Sequence, residues 1–303
     1  MTTEAPVASS TITKVDETTS ARNRVVEIVE LHVGPVAAVS SVSGGDVAAS
    51  FALDLTDGSR VFAKTHTDPP PKFFSTEAAG LSWLAESKTV RVPEVLAVDD
   101  DAAVLVLEWI TVGSGRGDEE AFGRALAQMH RFGAPAFGRQ DRRTTGSRRL
   151  PNEPCDTWVE FYSGQRLMPL TRLAQDGGSL PRSTISALAT IANRLGELGG
   201  QPEPPARLHG DLWAGNRLVD ENGQSWLIDP ACHGGHREYD LAMMRLFGGF
   251  DPVAFVAYNQ EWPLSAGFED RILLHQLAPL VVHAIKFGGP YVAATENAAN
   301  QYL

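Results

Sequence analysis

The stretch that decides the fold is Leu208–Asn216, which reads LHGDLWAGN, followed by Trp226–Pro230, which reads WLIDP. Three side chains in these stretches offer hard oxygen atoms: Asp211, Asn216 and Asp229. Carboxylate and amide oxygens are ligands that Mg²⁺ accepts in proteins, and Mg²⁺ commonly bridges phosphate oxygens. The pattern therefore indicates phosphoryl transfer, a reaction that depends on positioning and charge neutralisation more than on covalent chemistry.

The spacing of these residues has a specific meaning. An aspartate followed five residues later by an asparagine has the spacing of a kinase catalytic loop. Asp229 follows an apolar strand and a hairpin, where the metal-binding aspartate of a kinase is expected. In this interpretation Asp211 orients the acceptor hydroxyl and takes its proton, while Asn216 and Asp229 hold Mg²⁺. The alternative is that Asp211 and Asn216 only cap turns.

The sequence upstream predicts a small antiparallel sheet. Val36–Val42 is apolar, the next segment alternates, and the Asp57-Gly58 pair marks a hairpin before Val61–Lys64. Ser75 is a candidate N-cap for a helix with an apolar face. Further strands are predicted at Val95–Val98 and Val104–Ile110.

This predicted sheet offers candidate nucleotide-binding residues. Gly44 and Gly45 lie in the first turn, where backbone amides can cover phosphates, although an ordinary hairpin turn explains them better when they are taken alone. Lys64 ends the third strand, which is the position for contacting α- and β-phosphates. Glu77 on the following helix can pair with Lys64. The alternatives are a solvated lysine at a sheet edge and a surface glutamate.

The segment Glu108–Ile110 (Glu108, Trp109 and Ile110) precedes a glycine-containing linker, and we assign to it the hinge whose backbone contacts adenine. After this linker the periodicity becomes helical. The sequence thus predicts an α+β, protein-kinase-like, two-lobed fold with a small antiparallel-sheet N-lobe and a larger, mainly helical C-lobe. The predicted divisions are a disordered tail at 1–20, a nucleotide-binding lobe at 21–111 and a catalytic and substrate-binding lobe at 112–303.

Bulk composition excludes several classes of protein. The chain has 303 residues, a formal net charge of −11, 43% hydrophobic residues and two cysteines. An acidic chain is a poor partner for nucleic acid or anionic membranes. We see no secretory signal and no bilayer-length apolar run, so we expect a cytoplasmic protein. The oligomeric state is not predicted.

Two features favour a small-molecule acceptor over a protein acceptor. Gly210 stands where protein kinases usually carry an arginine, and only ten residues separate Asp229 from Asp240. No Ala-Pro-Glu motif follows. This leaves no room for an ordinary activation segment or a platform for a peptide.

The sequence resembles the fructosamine kinase (ketosamine-3-kinase) family. The resemblance is carried by His209–Asn216, by Ile228–Ala231 and by the run GGHREYDLAM at Gly234–Met243. The aminoglycoside and choline kinases share the two aspartates and the asparagine but not the Leu-Trp pair or the Gly-Gly-His-Arg-Glu run. The resemblance extends from about Arg22 to Gly288.

This resemblance implies an ATP-dependent enzyme that phosphorylates the 3-hydroxyl of a ketosamine, a ketose joined to an amine. The unstable product releases the amine, which amounts to deglycation. The resemblance gives Asp211 the role of catalytic base and places Trp213 and His283 in the substrate pocket. ATP and Mg²⁺ are the implied cofactors.

Several alternatives stay open at this point. Trp213 can equally be a core residue, and His283 can be a satisfied helix histidine. Asp240 is read as an N-cap, and the roles of His236 and Arg237 are undecided. The arginine-rich segment Arg139–Pro154 leaves the substrate's identity open, and the glycine-rich loop carries Asp46 but no cysteine, so no redox switch is expected there. The rival functions are an aminoglycoside- or choline-kinase-like phosphotransferase and a non-catalytic nucleotide-binding pseudokinase.

Overall fold

The computed structural model describes residues 9–42, 48–142 and 150–303, and the side chains of all of these except 9–18. The chain divides into two units. The first comprises Met1–Ala79 and Pro93–Ile110, and the second comprises Gly80–Val92 and Thr111–Leu303.

The first unit is built on a five-stranded sheet. Its strands are β1 (Val36–Val42), β2 (Ala49–Leu55), β3 (Arg60–Thr65), β4 (Val95–Asp99) and β5 (Val104–Glu108). Their order in the sheet is β1-β2-β3-β5-β4, and all neighbours are antiparallel. The apolar alternation predicts these strands because successive side chains point to opposite faces of a sheet.

The helix α1 (Ser9–His32) covers the sheet of the first unit. Its buried residues, which include Val25 and Val29, share a core with Phe51, Leu53 and other strand residues. The sequence predicts a disordered tail at 1–20, whereas the structure places residues 9–20 in this helix; residues 1–8 lie outside the described part. Burial fixes the helix from Ala21 toward its C-terminus. Because helix growth is cooperative, the helix extends from there in the N-terminal direction into a polar segment with weak helix propensity.

The helix α2 (Phe73–Ala85) begins earlier than the sequence indicates. The predicted N-cap Ser75 is the third helical residue, and its backbone N–H donates to Asp100 Oδ1 at 3.1 Å. Phe74 is completely buried. The burial of this side chain within the helix outweighs the capping preference of a serine.

The second unit is mainly helical. Its helices are α3 (Glu119–Phe132), α4 (Trp158–Phe161), α5 (Met168–Asp176), α6 (Arg182–Leu198), α7 (Glu238–Phe247), α8 (Pro252–Glu261), α9 (Phe268–Phe287) and α10 (Pro290–Asn300), with a π-helical turn at Tyr162–Leu167 and a 3₁₀ turn at Ala214–Asn216. Four short strands complete it: β6 (Ala206–Leu208), β7 (Arg217–Val219), β8 (Ser225–Leu227) and β9 (His233–Gly235).

The short strands of the second unit form two antiparallel pairs, β6 with β9 and β7 with β8. These pairs hold the segments Leu208–Asn216 and Trp226–Pro230, because β6 leads into Asp211 and β8 leads into Asp229. The helices pack around them in two apolar clusters, one of which contains the buried Tyr162 and Leu277. Across the described residues, no helix combines the length and the apolar character that crossing a bilayer requires.

Candidate active site

Asp211 and Asn216 are in direct contact in the loop that follows β6. The Asn216 side-chain Nδ2 donates to the Asp211 backbone oxygen at 2.8 Å and to its Oδ2 at 3.2 Å. The Trp213 N–H donates to the same backbone oxygen at 3.1 Å, and the 3₁₀ turn then returns the chain. The five-residue spacing is thus what allows the asparagine to reach the aspartate.

Asp229 is held beside this pair. The Ile228 N–H donates to the Asn216 backbone oxygen at 3.0 Å. Asp229 itself has a φ of 52°, in the left-handed region that non-glycine residues seldom occupy, and residues held in such a conformation are enriched at functional sites. The structure therefore brings together Asp211, Asn216 and Asp229, as the sequence predicts.

His209 and Gly210 join the two loops. The buried His209 ring donates from Nε2 to Ile228 O at 2.9 Å and accepts at Nδ1 from the Asp211 N–H at 3.2 Å. Burial lowers the pKa of His209, so the neutral ring required by these bonds is favoured. Gly210 has a φ of 82°, and a Cβ there would lie 2.1 Å from Ala231 O, so this position requires glycine.

The electrostatics of the site suit a divalent cation. Burial raises the pKa of Asp211 to about 7, and the negative charges of Asp229 and Asp240 act in the same direction. The hydrogen bond from Asn216 and the positive charge of Lys286 oppose this rise. The excess negative charge and the oxygen donors of Asn216 and Asp229 fit Mg²⁺, which prefers hard oxygen ligands.

Asp240 anchors the loop that carries Asp211, and its predicted role as an N-cap is wrong. The N-cap of α7 is Arg237, and Asp240 lies inside the helix, fully buried. Its carboxylate accepts from the backbone N–H of His209 at 2.7 Å and of Gly210 at 2.9 Å. The backbone of the loop that carries Asp211 is therefore fixed by a carboxylate from a distant part of the sequence.

A buried histidine supports this anchor. His130 on α3 lies 3.2 Å from Asp240 Oδ2 through Nε2, and 2.8 Å from the Tyr258 hydroxyl through Nδ1. Because Asp240 can only accept when ionised, Nε2 carries the proton and Nδ1 accepts from the tyrosine. His130 and Tyr258 thereby fix the orientation of Asp240, and neither is signalled by the sequence motif.

Lys64 and Glu77 form a pair within the first unit. Lys64 Nζ lies 2.6 Å from Glu77 Oε1, and both side chains are about nine-tenths buried. The predicted pairing is present, and neither residue is the solvated alternative. Gly44 and Gly45 lie outside the described residues, as does Asp46.

The predicted hinge is at the end of the first unit. Glu108 forms two hydrogen bonds with Glu94. The Glu108 N–H donates to Glu94 O at 2.9 Å, and the Glu108 carboxylate accepts from the Glu94 N–H at 3.1 Å. The Trp109 ring lies 5.2 Å from the Arg60 guanidinium, and Ile110 is buried. Contact of this segment with adenine stays a prediction.

Trp213 and His283 belong to one continuous group of rings in the second unit. Trp213 is 40% exposed, so it is not a core residue. Phe247 lies between the two, with ring centroids 6.2 Å from Trp213 and 4.8 Å from His283. His283 Nδ1 donates to Pro279 O at 2.8 Å, which leaves Nε2 as the acceptor of the ring.

Comparison with known proteins identifies the family of the chain. The family model described as fructosamine kinase matches residues 21–303. The chain belongs to the fructosamine kinase family. It is 34% identical to the "Probable ketoamine kinase" of Synechocystis sp. over 87% of this chain and 89% of that protein. It is 32% identical to the chloroplastic protein-ribulosamine 3-kinase of Arabidopsis thaliana over 88% of this chain and 82% of that one.

Solved structures give the same result for the fold. A candidate fructosamine-3-kinase from Thermobifida fusca has a TM-score of 0.83 at 39% identity, covering 91% of this chain and 97% of that one. The choline kinase of Streptococcus pneumoniae has a TM-score of 0.58 at 14% identity, covering 96% and 99%. The predicted family and the predicted protein-kinase-like, two-lobed α+β fold are confirmed.

The fructosamine kinase run GGHREYDLAM has mainly a structural role in its first half. Arg237 donates to both oxygens of Glu203 at 2.7 and 2.8 Å and to the backbone oxygens of Trp262 and Pro263. His236 is buried, with its ring centroid 5.3 Å from that of His275. Arg237 therefore holds two loops in place, whereas His236 packs against a buried ring.

The grouping of His236, Glu238 and His275 is close enough to hold a metal ion. However, both carboxylate oxygens of Glu238 already accept from Arg271, at 2.9 and 2.6 Å, and one also faces His275 Nε2 at 3.2 Å. A guanidinium in this position neutralises the carboxylate, so we interpret the group as a buried ion-pair network.

The arginine-rich segment is fixed at both ends. Arg139 is buried and bonded to Asp141, and its guanidinium lies 4.8 Å from the Trp83 ring. Arg166, on the π-helical turn, donates to Pro151 O at 2.7 Å and to Asn152 Oδ1 at 2.8 Å. The middle of the segment, 143–149, lies outside the described residues.

Proposed function

We propose that this protein transfers the γ-phosphoryl group of ATP to the 3-hydroxyl of a ketosamine such as a fructosamine or ribulosamine. The observation that carries the proposal is the convergence of Asp211, Asn216 and Asp229 in one unit of a fructosamine kinase family member. Relatives named ketoamine kinase and ribulosamine 3-kinase support the choice of acceptor.

The catalytic roles follow from the side chains. The Asp211 carboxylate accepts a hydrogen bond from the acceptor hydroxyl and takes its proton as the new oxygen–phosphorus bond forms and ADP departs. A carboxyl with a pKa of about 7 is well matched to receive a proton near neutral pH. Asn216 then has a second role, because its amide holds the Asp211 carboxylate in one orientation.

Mg²⁺ would be held by Asn216 and Asp229, and when bound it neutralises charge on the phosphates. Lys64, oriented by Glu77, would contact the α- and β-phosphates. The backbone of Gly44 and Gly45 would cover the phosphates, and Glu108–Ile110 would contact adenine.

The sugar would lie against Trp213 and His283. An exposed indole presents a flat apolar face to the carbon-bound hydrogens of a sugar. His283 Nε2, as the acceptor atom of its ring, would take a hydrogen bond from a sugar hydroxyl. Because its substrate ATP is an intracellular metabolite, we also propose a cytoplasmic location.

The test is a turnover screen with Mg-ATP. We expect release of ADP with fructosyl-lysine or ribulosyl-lysine, and none with kanamycin or choline. Turnover of an aminoglycoside or choline, without turnover of any ketosamine, would instead assign the protein to the aminoglycoside- or choline-kinase-like phosphotransferases. Binding of Mg-ATP without transfer to any alcohol would identify a non-catalytic nucleotide-binding protein.

A further inference from the structure

A strip of aromatic rings extends well beyond the two residues assigned to the sugar. From His283 the ring centroids continue to Phe287 at 5.6 Å and to Tyr291 at 5.0 Å, and these two lie 5.9 Å apart. Phe287 is 52% exposed and Phe247 is 36% exposed. Contiguous exposed apolar surface of this kind marks a binding site, whereas single exposed side chains do not.

The strip is formed where two helices end in the same way. Phe247 closes α7 and Phe287 closes α9, and each is followed by a glycine pair. A Cβ at Gly248, Gly288 or Gly289 would meet no atom within 4 Å in the described part of the chain. The backbone beside the exposed rings is therefore uncovered at these three positions, whereas a Cβ at Gly249 would lie 2.5 Å from Ala214 Cβ.

The strip starts at the catalytic residue. Trp213 is two residues from Asp211, and its six-membered ring lies so close over Gly215 that a Cβ there would be 2.1 Å from the ring. The orientation of the indole is thereby fixed. Because the Trp213 ring contacts Phe247, a ligand whose hydroxyl reaches Asp211 can extend past Trp213 onto the strip.

Lys286 places a positive charge on this surface. Its Nζ lies 4.7 Å from the centroid of the Phe287 ring. Its positive charge also acts to lower the pKa of the Asp211 carboxyl. A ring face that already interacts with one ammonium is a poor site for a second. Lys286 therefore disfavours a second cation and favours an apolar or anionic group.

We propose that Phe247, Phe287, Tyr291 and Lys286 form the subsite for the amine-derived part of the acceptor, and that they select an apolar or anionic chain over one ending in a second ammonium group. This inference rests on the proposed function, because it assumes that the sugar occupies the inner end of the strip. It extends that function by naming the class of amine.

The experiment compares four fructosamines that share the sugar and differ in the amine: methylamine, hexylamine, aminohexanoate and hexanediamine. We expect the hexylamine adduct to have a higher kcat/KM than the methylamine adduct, by about twofold per methylene in contact with half-exposed rings. We expect the aminohexanoate adduct to exceed the hexanediamine adduct by about tenfold, from one charge a few ångströms away in partly solvated surroundings.

Two variants test the assignment. Lys286→Glu should reverse the preference between aminohexanoate and hexanediamine, whereas Lys88→Glu, the same change at another exposed lysine of this unit, should leave it unchanged. Phe287→Ala should remove most of the advantage of hexylamine over methylamine. Because each result is a ratio between two substrates of one variant, any general effect on Asp211 cancels.

The possible failures are separable. If the methylamine adduct is phosphorylated but the four adducts have equal kcat/KM values, the subsite is wrong and the proposed function stands. An aminohexanoate preference that survives Lys286→Glu would also overturn the subsite. If no fructosamine is phosphorylated, the proposed function fails and this inference fails with it.

Discussion

Replacement of Asp240 by asparagine tests how the catalytic loop is held. Asp240 Oδ1 accepts from Gly210 N–H at 2.9 Å, and Oδ2 accepts from His209 N–H at 2.7 Å and faces His130 Nε2 at 3.2 Å. An asparagine has one acceptor oxygen, so its NH₂ group must face at least one of these donors. The least damaging orientation faces the Gly210 N–H and leaves it unsatisfied.

The expected loss of stability follows from the number of donors that asparagine leaves unsatisfied. An unsatisfied buried N–H costs about 1–3 kcal/mol, and the remaining bonds lose the strength that an ionised acceptor gives. We therefore expect Asp240→Asn to lower the free energy of unfolding by about 2–4 kcal/mol. A displacement of the Asp211 loop by about 1 Å should lower kcat by about 100-fold.

The assay is steady-state release of ADP at saturating substrates, with urea unfolding measured on the same preparations. Asp251→Asn is the matched control: Asp251 caps α8 by accepting the Val253 N–H at 3.0 Å, and asparagine caps equally well. A fully folded Asp240→Asn protein with the wild-type kcat would refute the argument that this carboxylate positions the loop. A loss of stability without a loss of kcat would do the same.

Three other predictions concern different parts of the molecule. Lys64→Met should raise the KM for ATP by about 10- to 100-fold, from the loss of a charge-assisted contact, and Glu77→Gln should have a smaller effect; unchanged ATP affinity would remove Lys64 from the nucleotide site. Burial raises the pKa of Glu238, but hydrogen bonds from His275 and Arg271 outweigh it and lower the pKa from 4.5 to about 2. The ionised carboxylate therefore stabilises the fold fully above pH 4.5, and this contribution declines as the pH falls toward 2. Glu238→Gln should reduce the change in the free energy of unfolding between these pH values, measured with urea, by up to about 3 kcal/mol. Gly215→Ala should displace the Trp213 ring and lower kcat/KM for ketosamines by about tenfold with little change in KM for ATP, and wild-type kinetics would exclude Trp213 from the acceptor site.

The sequence predicts those parts of the fold that depend on local patterns. The strands of the first unit follow from apolar alternation and from the Asp57-Gly58 hairpin, and the contact of Asn216 with Asp211 follows from their spacing. Each of these features is decided within a few residues, so pattern and turn chemistry are sufficient to predict it.

Features that depend on contacts between distant residues are not predicted. Asp240 resembles an N-cap in the sequence because it stands near a helix start, yet it bonds to amides about 30 residues earlier in the chain. His130 is separated from Asp240 by 110 residues and belongs to no motif. Such contacts depend on how α3, α7 and β6 pack against one another, so the local sequence pattern around each residue does not predict them.

The sequence predicts the aromatic strip only in part. The family resemblance points to Trp213 and His283, whereas Phe247 and Phe287 have the pattern of ordinary apolar helix residues. Apolar periodicity predicts burial, and the structure instead leaves both rings exposed where their helices end. Exposure at a helix end depends on the neighbouring chain, which periodicity does not describe.

The central claim is that Asp211 directs the γ-phosphoryl group of ATP to the 3-hydroxyl of a ketosamine. The most direct measurement is ³¹P–¹H correlation NMR of a reaction with Mg-ATP and fructosyl-lysine, run with the wild-type protein and with Asp211→Asn. At early times, before the product releases its amine, we expect a sugar phosphate on the 3-oxygen to form in step with ADP with the wild-type protein, and a rate lower by orders of magnitude with the variant at similar ATP binding. A phosphate on another oxygen, or equal rates for the two proteins, would contradict the claim.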